Sequence, residues 1–144
     1  MNENTIIHKL LDLFEYKSEY QRRSSGIPPH DMYILERIHL NKTMTIKELS
    51  LQYNIPPSTL TGILDRLEDK NLVQRLRTHA DRRAVELAVT DKGNILVDKH
   101  TEEDRLFAEN LFNSLEKEKK ETLKCLLEEL LQNVAQEHLF AHQK

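Results

Sequence analysis

The stretch Ile55–Arg83, IPPSTLTGILDRLEDKNLVQRLRTHADRR, decides how the rest of the chain is interpreted. A helix is predicted to begin at the double proline, because Pro57 suits the first helical turn, where its missing N–H costs nothing. Apolar residues then recur at spacings of three and four, which indicates one buried helix face. These residues are Leu60, Ile63, Leu64 and Leu67. Asn71 offers a left-handed residue at which the helix can stop.

The opposite face of this predicted helix is a candidate DNA-binding surface. It carries short hydroxyls, a glycine and, near the helix end, a cation. Hydroxyls can reach base edges and phosphates in a major groove, and a glycine lets the backbone come close to the duplex. The candidate DNA-binding residues on this face are Ser58, Thr59, Thr61, Gly62 and Arg66.

Two short strands joined by a basic loop are predicted after this helix. The first runs from about Leu72 to Arg77 and the second from Ala84 to Val89, with Arg82 and Arg83 adjacent in the loop. A helix followed by strand, basic loop and strand is the order of a winged helix, a helix-turn-helix with a β-hairpin attached. Either piece alone favours an ordinary surface helix or a charged hairpin. Their order and spacing favour DNA binding, with Arg82 and Arg83 as further candidate contacts.

The distribution of charge is uneven along the chain. The net charge is −3, which argues against DNA binding when the chain is taken as a whole. Residues 41–90, however, carry 8 basic and 6 acidic residues, whereas residues 91–144 carry 8 basic and 12 acidic ones. Positive charge is therefore concentrated where the DNA-binding elements are predicted. The excess is small for one chain, so we expect two chains to share the duplex.

Composition indicates a cytoplasmic protein without a membrane segment. Charged residues make up 31% of the chain, and no apolar run approaches the roughly 20 residues of a membrane span. The N-terminal residues lack the basic start and long apolar segment of a secretory signal. The single cysteine, Cys125, excludes an internal disulfide. Because it stands among leucines, Cys125 is expected to be a small buried hydrophobe rather than a nucleophile or sensor.

The remaining pattern predicts a mainly α fold with a small β wing. Thr45 and Glu48 form a capping box for a helix that ends near Tyr53, and Thr90 is the expected N-cap of a long helix. The charged middle of that long helix, Asp98–Arg105, is expected to be exposed. The long helix is expected at about 91–113, and the other expected helices cover residues 5–23, about 30–40 and about 116–138. A single domain over 1–144 is expected, with a winged-helix DNA-binding core at about 30–95.

The terminal helices carry wide apolar faces, at residues 5–14 and 123–134. Packing these faces against the same helices of a second chain would bury both and make a two-fold dimer. The dimerisation helices are therefore expected at about 1–27 and 100–144. The alternative is that the helices close on their own monomer.

Several short motifs together resemble the MarR family of bacterial transcription regulators. They are Ser58-Thr59-Leu60-Thr61, Leu67-Glu68, Leu72-Val73, Arg75, Asp81-Arg82-Arg83 and Thr90-Asp91-Lys92-Gly93. The resemblance implies a dimeric winged-helix repressor or activator that binds double-stranded DNA, with a palindromic operator matching the two-fold axis. It also implies that Asp81 holds Arg83 for insertion into a minor groove. Asn71 stands where the family has a glycine.

The resemblance further implies a small-molecule effector site between the dimerisation helices and the DNA-binding core. Residues available to line it are Tyr16, Tyr20, Tyr33, Arg37 and His39. Zinc-responsive relatives use carboxylate and histidine ligands from the second and fifth helices. His39 is available in the second helix, but residues 103–113 of the fifth hold no histidine.

No cofactor, metal site or enzymatic activity is expected from the sequence. The chain has three glycines and no glycine-rich phosphate loop, and no arrangement of serine, histidine and acid can be singled out. His138 and His142 have the i, i+4 spacing of helical metal ligands, but they lie at a polar terminus without a nearby cysteine. A helical protein-interaction module whose winged helix does not bind DNA is the alternative function.

Overall fold

The computed structural model describes residues 1–77 and 84–141, within which helices predominate. The elements are α1 (Glu3–Ser25), α2 (Pro29–Asn41), β1 (Thr43–Thr45), α3 (Ile46–Tyr53), α4 (Pro57–Asp69), β2 (Val73–Arg77), β3 (Val85–Val89), α5 (Asp91–Phe112), α6 (Lys117–Asn133) and a short 3-10 helix (Gln136–His138). The chain divides into two units, Met1–Asp104 and Arg105–Lys144. The prediction of a mainly α chain with a small β wing is confirmed.

The first unit is built around one apolar core shared by α2, α3, α4 and the sheet. Leu35 and Ile38 of α2, Leu49 of α3 and Leu87 of β3 are fully buried. The apolar stripe predicted for α4 is confirmed, because Leu60, Ile63, Leu64 and Leu67 all belong to this core. Burying each such side chain contributes roughly 1.5–3 kcal/mol, so the stripe fixes which face of α4 points outward.

A three-stranded antiparallel sheet stands beside these helices, with β3 between β1 and β2. Val73 pairs with Val89 and Arg77 with Val85, which defines the hairpin of the wing. Strand β1 is not anticipated by the sequence, because three residues are too few to show an alternating pattern. It pairs with β3 and leads directly into α3.

Local signals at the helix ends are borne out. Thr45 and Glu48 form the predicted capping box of α3, and Asn71 adopts the predicted left-handed conformation, with φ of 58°. Thr90 Oγ1 accepts a hydrogen bond from Gly93 N at 3.1 Å and caps α5. Gly93 is required there, because a Cβ at this position would overlap the carbonyl oxygen of Leu72.

The expected exposure of Asp98–Arg105 is wrong at three positions. His100, Glu103 and Asp104 are half-buried. Gln21 donates to Asp104 Oδ1 at 2.9 Å, and Ser24 donates to Glu103 Oε1 at 2.9 Å. The charged middle of α5 is therefore a polar contact with α1, and hydrogen bonds from α1 compensate part of the cost of its burial.

In the second unit, α6 is shorter than expected and carries no buried residue. The helix ends at Asn133, and the 3-10 helix begins three residues later at Gln136. Cys125 is exposed, so its expected burial is wrong for the single chain. The reason is that the leucines around it are themselves uncovered, with Leu126 58% and Leu130 61% exposed.

Candidate nucleic-acid interface

The outward face of α4 presents the hydroxyl-bearing residues predicted from the sequence. Ser58, Thr59 and Thr61 are exposed, on the side opposite the buried leucines. Thr61 Oγ1 donates its proton to Pro57 O at 2.9 Å, within the helix. That bond leaves the lone pairs of the hydroxyl oxygen free to accept hydrogen bonds, so Thr61 can act as an oriented acceptor toward a base edge or a backbone donor.

Gly62 interrupts this face without a structural need for glycine. A Cβ built there would meet only Arg66 Nη1, at an ordinary contact distance of 3.7 Å. Glycine in a helix interior lowers stability by roughly 0.8–1 kcal/mol relative to alanine. A glycine that lowers stability and relieves no clash in the free chain is expected where another molecule must come close to the α4 backbone.

Arg66 is engaged by a carboxylate that the sequence analysis did not connect to it. Its Nε and Nη2 each donate to Asp31 at 2.9 Å, a paired geometry that clamps α4 onto the first turn of α2. Asp31 is 2% exposed, and its hydrogen bonds raise the pKa of Arg66 above the ordinary value. The structure therefore gives Arg66 a role in positioning α4, and its DNA contact stays a prediction. No local signal links these residues, since they stand 35 positions apart.

The base of the wing is fixed to α4 by a second arginine. Arg75 of β2 pairs with Asp65 at 2.8 Å and with Glu68 at 3.3 Å, both on α4. The hairpin is therefore held beside the outward face of α4. The wing-tip residues Asp81, Arg82 and Arg83 lie outside the described residues, so their predicted roles stay predictions.

A cavity of about 200 Å³ lies between α1, α2 and α5. Its wall includes Lys17, Gln21, Met32, Tyr33, Glu36 and His100. Of the five residues proposed for an effector site, only Tyr33 lines it. Arg37 is not part of the wall and lies over the rings of Tyr33 and Tyr53, and His39 Nδ1 lies 2.8 Å from Asn94 Oδ1. Tyr16 lines a separate surface depression.

One wall of this cavity is a network of ionisable side chains from three helices. His100 Nε2 lies 2.8 Å from Glu36 Oε1 and 3.7 Å from Asp104 Oδ2. Lys17 Nζ lies 2.5 Å from Asp104 Oδ1. The hydrogen bond to Glu36 raises the pKa of His100 above its ordinary value, against the opposing effect of burial. Sequence reasoning missed this network, because its members come from positions 17 to 104.

The same residues bring three potential metal ligands together. One donor atom each from Glu36, His100 and Asp104 lies within 4.8 Å of the others. Lys17 already neutralises Asp104, and His100 already donates to Glu36. The observed contacts are those of an ion-pair network. The second histidine of the sequence pair, His142, lies outside the described residues.

Comparisons with known proteins agree with the winged-helix geometry. A model of the MarR family matches residues 27–85. The HTH-type transcriptional regulator FarR of Neisseria gonorrhoeae is 37% identical over 106 residues, covering 74% of this chain and 73% of FarR. The HTH-type transcriptional repressor MdtR of Bacillus subtilis is 33% identical over 70 residues, covering 49% of this chain and 45% of MdtR. The chain thus aligns with less than half the length of MdtR.

Solved structures show the same fold. A variant of S. aureus MepR bound to an oligodeoxyribonucleotide superposes with a TM-score of 0.74 at 17% identity, covering 94% of this chain and 100% of the MepR chain. In the part of the chain that the structure describes, no helix combines the length and apolar composition needed to cross a membrane.

Proposed function

The chain belongs to the MarR family and is a DNA-binding transcription regulator, and we propose that it acts as a homodimeric repressor of a palindromic operator. The observation that carries this proposal is the outward face of α4. Three exposed hydroxyls and a glycine lie there, on a helix that buried apolar side chains hold in place. One named relative, MdtR, is a repressor, and MepR has been solved with DNA.

In this proposal α4 enters the major groove and the wing reaches an adjacent minor groove. Ser58, Thr59 and Thr61 would contact base edges or phosphates, and Gly62 would let the helix backbone approach the duplex. Arg83 would enter the minor groove, where narrow grooves attract arginine. Asp81 would hold Arg83 in place, and Arg82 would lie nearer the phosphates.

Dimerisation would use the apolar faces of the terminal helices. On α1, Ile6, Ile7 and Leu11 are about half-exposed in the single chain. On α6, Leu126, Leu130 and Leu131 are more exposed still. Uncovered leucines on two helices are more typical of an obligate interface than of a monomer surface. A second copy of this chain is the partner that a two-fold DNA site requires.

The cavity between α1, α2 and α5 is the candidate effector site. At about 200 Å³ it is smaller than the roughly 300–1,000 Å³ of most ligand pockets. A small molecule bound there would contact α2, whose Asp31 accepts hydrogen bonds from Arg66 of α4. Its presence could therefore change how α4 is held. A protein that binds chromosomal operators in this way would act in the cytoplasm.

Selection of bound sequences from a random duplex pool, followed by fluorescence anisotropy, tests the proposed function. We expect the selected duplex to be symmetric, to bind two chains, and to bind much more tightly than random duplex at the same salt concentration. Both affinities should fall steeply as salt rises, because phosphate contacts release counterions. Equal and weak binding of all duplexes at low salt would contradict the proposal and favour a protein-interaction module.

A further inference from the structure

An arginine of α2 lies in the corner formed by two aromatic rings beside the helix-turn-helix. Arg37 Cζ lies 4.4 Å from the ring centroid of Tyr33, one turn earlier on α2. It lies 5.5 Å from the ring centroid of Tyr53, the last residue of α3. The two rings are 6.5 Å apart at an interplanar angle of 83°. Cation–π contact with two rings that meet nearly at a right angle limits the movement of the guanidinium.

The more distant ring is fixed by hydrogen bonds. Asn41 Nδ2 donates to Tyr53 Oη at 2.9 Å and to the carbonyl oxygen of Arg37 at 2.7 Å. Gln52 Nε2 donates to the same hydroxyl at 3.3 Å. Asn41 thus ties the end of α2 to the end of α3. The tyrosine cannot turn away from Arg37 without breaking these bonds.

The charge of Arg37 has no carboxylate partner among the residues that the structure describes. Its Nε is buried and makes no hydrogen bond within that part of the chain. Other arginines of the same unit are neutralised: Arg66 by Asp31, and Arg75 by Asp65 and Glu68. A guanidinium that is already oriented and is not neutralised loses little conformational freedom when it binds an anion.

We propose that Arg37, Tyr33 and Tyr53, together called the Arg37 clamp, bind a backbone phosphate of the operator. Each chain would then contact the duplex at a third place, besides α4 and the wing. The proposal rests on the proposed function, since it requires that α4 engage DNA.

The position of the clamp favours a DNA phosphate over other anions. Tyr53 ends α3, and α4 begins at Pro57, four residues later. In helix-turn-helix proteins the helix before the recognition helix crosses the DNA backbone. With Nε buried, the two Nη groups are the parallel donors that Arg37 would present to phosphate oxygens. The cavity between α1, α2 and α5 is lined by Tyr33 and Glu36 but, among the described residues, not by Arg37. An effector carboxylate in that cavity is therefore the less favoured occupant.

The dependence of DNA affinity on salt concentration tests the Arg37 clamp. Each phosphate contact contributes about 0.9 to the slope of log K against log salt. We expect Arg37→Gln to make that slope shallower by roughly 1.8 for a dimer, because each of the two chains would neutralise one phosphate fewer. The affinity of Arg37→Gln for random duplex should fall by the same factor as its affinity for the selected operator, because phosphate contacts carry no sequence information. Arg37→Lys should keep the slope and bind more weakly, since it keeps the charge and loses the paired geometry.

Arg23→Gln is the matched control. Arg23 lies on α1, its side chain is 66% exposed, and its removal lowers the net charge by the same amount. We expect its slope to equal that of the wild type. An equal change of slope in both variants would mean that Arg37 contributes only to the general field, which overturns the proposal. A wild-type slope for folded Arg37→Gln would also overturn it.

Tyr33→Leu keeps the test decisive if Arg37→Gln fails to fold. Tyr33 is 41% exposed, so the core does not depend on its ring. We expect this variant to bind operator several-fold more weakly at unchanged net charge, and wild-type affinity at every salt concentration would overturn the clamp. If wild-type protein binds no duplex, the proposed function itself fails. If the wild-type protein binds the operator tightly and Arg37→Gln leaves the salt slope unchanged, only the proposed role of the Arg37 clamp is refuted.

Discussion

At the scale of single residues, two helical glycines respond differently to an added methyl group. Gly62 has room for a Cβ, whereas a Cβ on Gly93 would overlap the carbonyl oxygen of Leu72. We expect Gly62→Ala to raise the free energy of unfolding by roughly 0.5–1 kcal/mol, because alanine is the better helix former. The same change should weaken operator binding several-fold, because the methyl group would stand between the α4 backbone and the duplex. Urea denaturation and fluorescence anisotropy measure the two effects.

Gly93→Ala serves as the comparison for this prediction. It should lower the free energy of unfolding, since the overlap with Leu72 can be relieved only by moving α5 away from the start of β2. If Gly62→Ala were more stable and bound operator as tightly as the wild type, the backbone of α4 would not approach DNA closely at this point.

The wing residues allow a prediction whose sign is opposite to simple electrostatics. Removing the acid of Asp81 from a loop proposed to contact DNA should by charge alone strengthen binding. If Asp81 holds Arg83, as the family resemblance implies, Asp81→Ala should instead weaken operator binding and reproduce part of the Arg83→Ala defect. Arg83→Ala should weaken binding to the operator more than binding to random duplex, and Arg82→Ala should weaken binding to both equally. Fluorescence anisotropy with the operator and with random duplex measures these affinities. Tighter operator binding by Asp81→Ala would show that Asp81 does not hold Arg83 in place.

At the scale of elements, the junction of α1, α2 and α5 should respond to pH. The hydrogen bond to Glu36 raises the pKa of His100 above its ordinary value of 6.5, while burial and Lys17 oppose that rise and Asp104 adds to it. Charged His100 therefore contributes stability that is fully present below pH 6.5. This contribution is lost as the pH rises through the raised pKa of the folded state. We expect the stability difference between wild type and His100→Gln to shrink as the pH rises.

The effect can be separated from that of Asp104 by its pH window. Burial raises the pKa of Asp104, but the hydrogen bonds from Lys17 and Gln21 and the positive charges of His100 and Lys17 together outweigh it, so the net direction is downward from 3.8. Asp104 hence stays ionised at neutral pH, and its contribution is lost only in acid. His8→Gln on exposed α1 is the matched control. A stability difference for His100→Gln that is constant from about pH 5.5 to 8.5 would show that His100 does not titrate in the network.

Elements with local signals could be predicted, and contacts between distant elements could not. The buried stripe of α4, the capping box at Thr45 and the left-handed Asn71 all follow from spacings of a few residues. The pairing of Asp31 with Arg66 joins two helices, and no periodicity connects them. The half-buried charges of α5 were missed for a related reason. A charged stretch predicts exposure unless another helix supplies hydrogen bonds, and only the fold reveals α1 beside it.

At the scale of the whole molecule, the exposed leucines of α6 predict a dimer, and charged substitutions at these leucines should dissociate it. Leu126 and Leu130 are 58% and 61% exposed, so replacing both by glutamate leaves the core of the single chain unchanged. In a dimer each leucine would contribute roughly 1.5–3 kcal/mol of burial, and an unpaired carboxylate there would be costly. Sedimentation should show about twice the 17.0 kDa chain mass for the wild type and a single chain for the double variant.

Leu51→Glu is the control for this experiment. Leu51 is 73% exposed on α3, which is not one of the predicted dimerisation helices, so this variant should remain dimeric. A wild-type monomer at micromolar concentration would remove the two-fold model, and with it the expectation of a palindromic operator.

The central claim, that the outward face of α4 recognises the operator, is tested most directly by the base preference of Thr61→Ala. Thr61 and Thr122 are both exposed and donate to the carbonyl oxygen four residues earlier, so Thr122→Ala on α6 loses the same internal bond. Affinities are measured for the selected operator and for each single base change in it, with far-UV circular dichroism as the check on folding. We expect Thr61→Ala to lose roughly 1–3 kcal/mol of operator affinity and its discrimination at one position, and Thr122→Ala to match the wild type. Wild-type affinity and base preference for Thr61→Ala, and likewise for Ser58→Ala, would contradict the account.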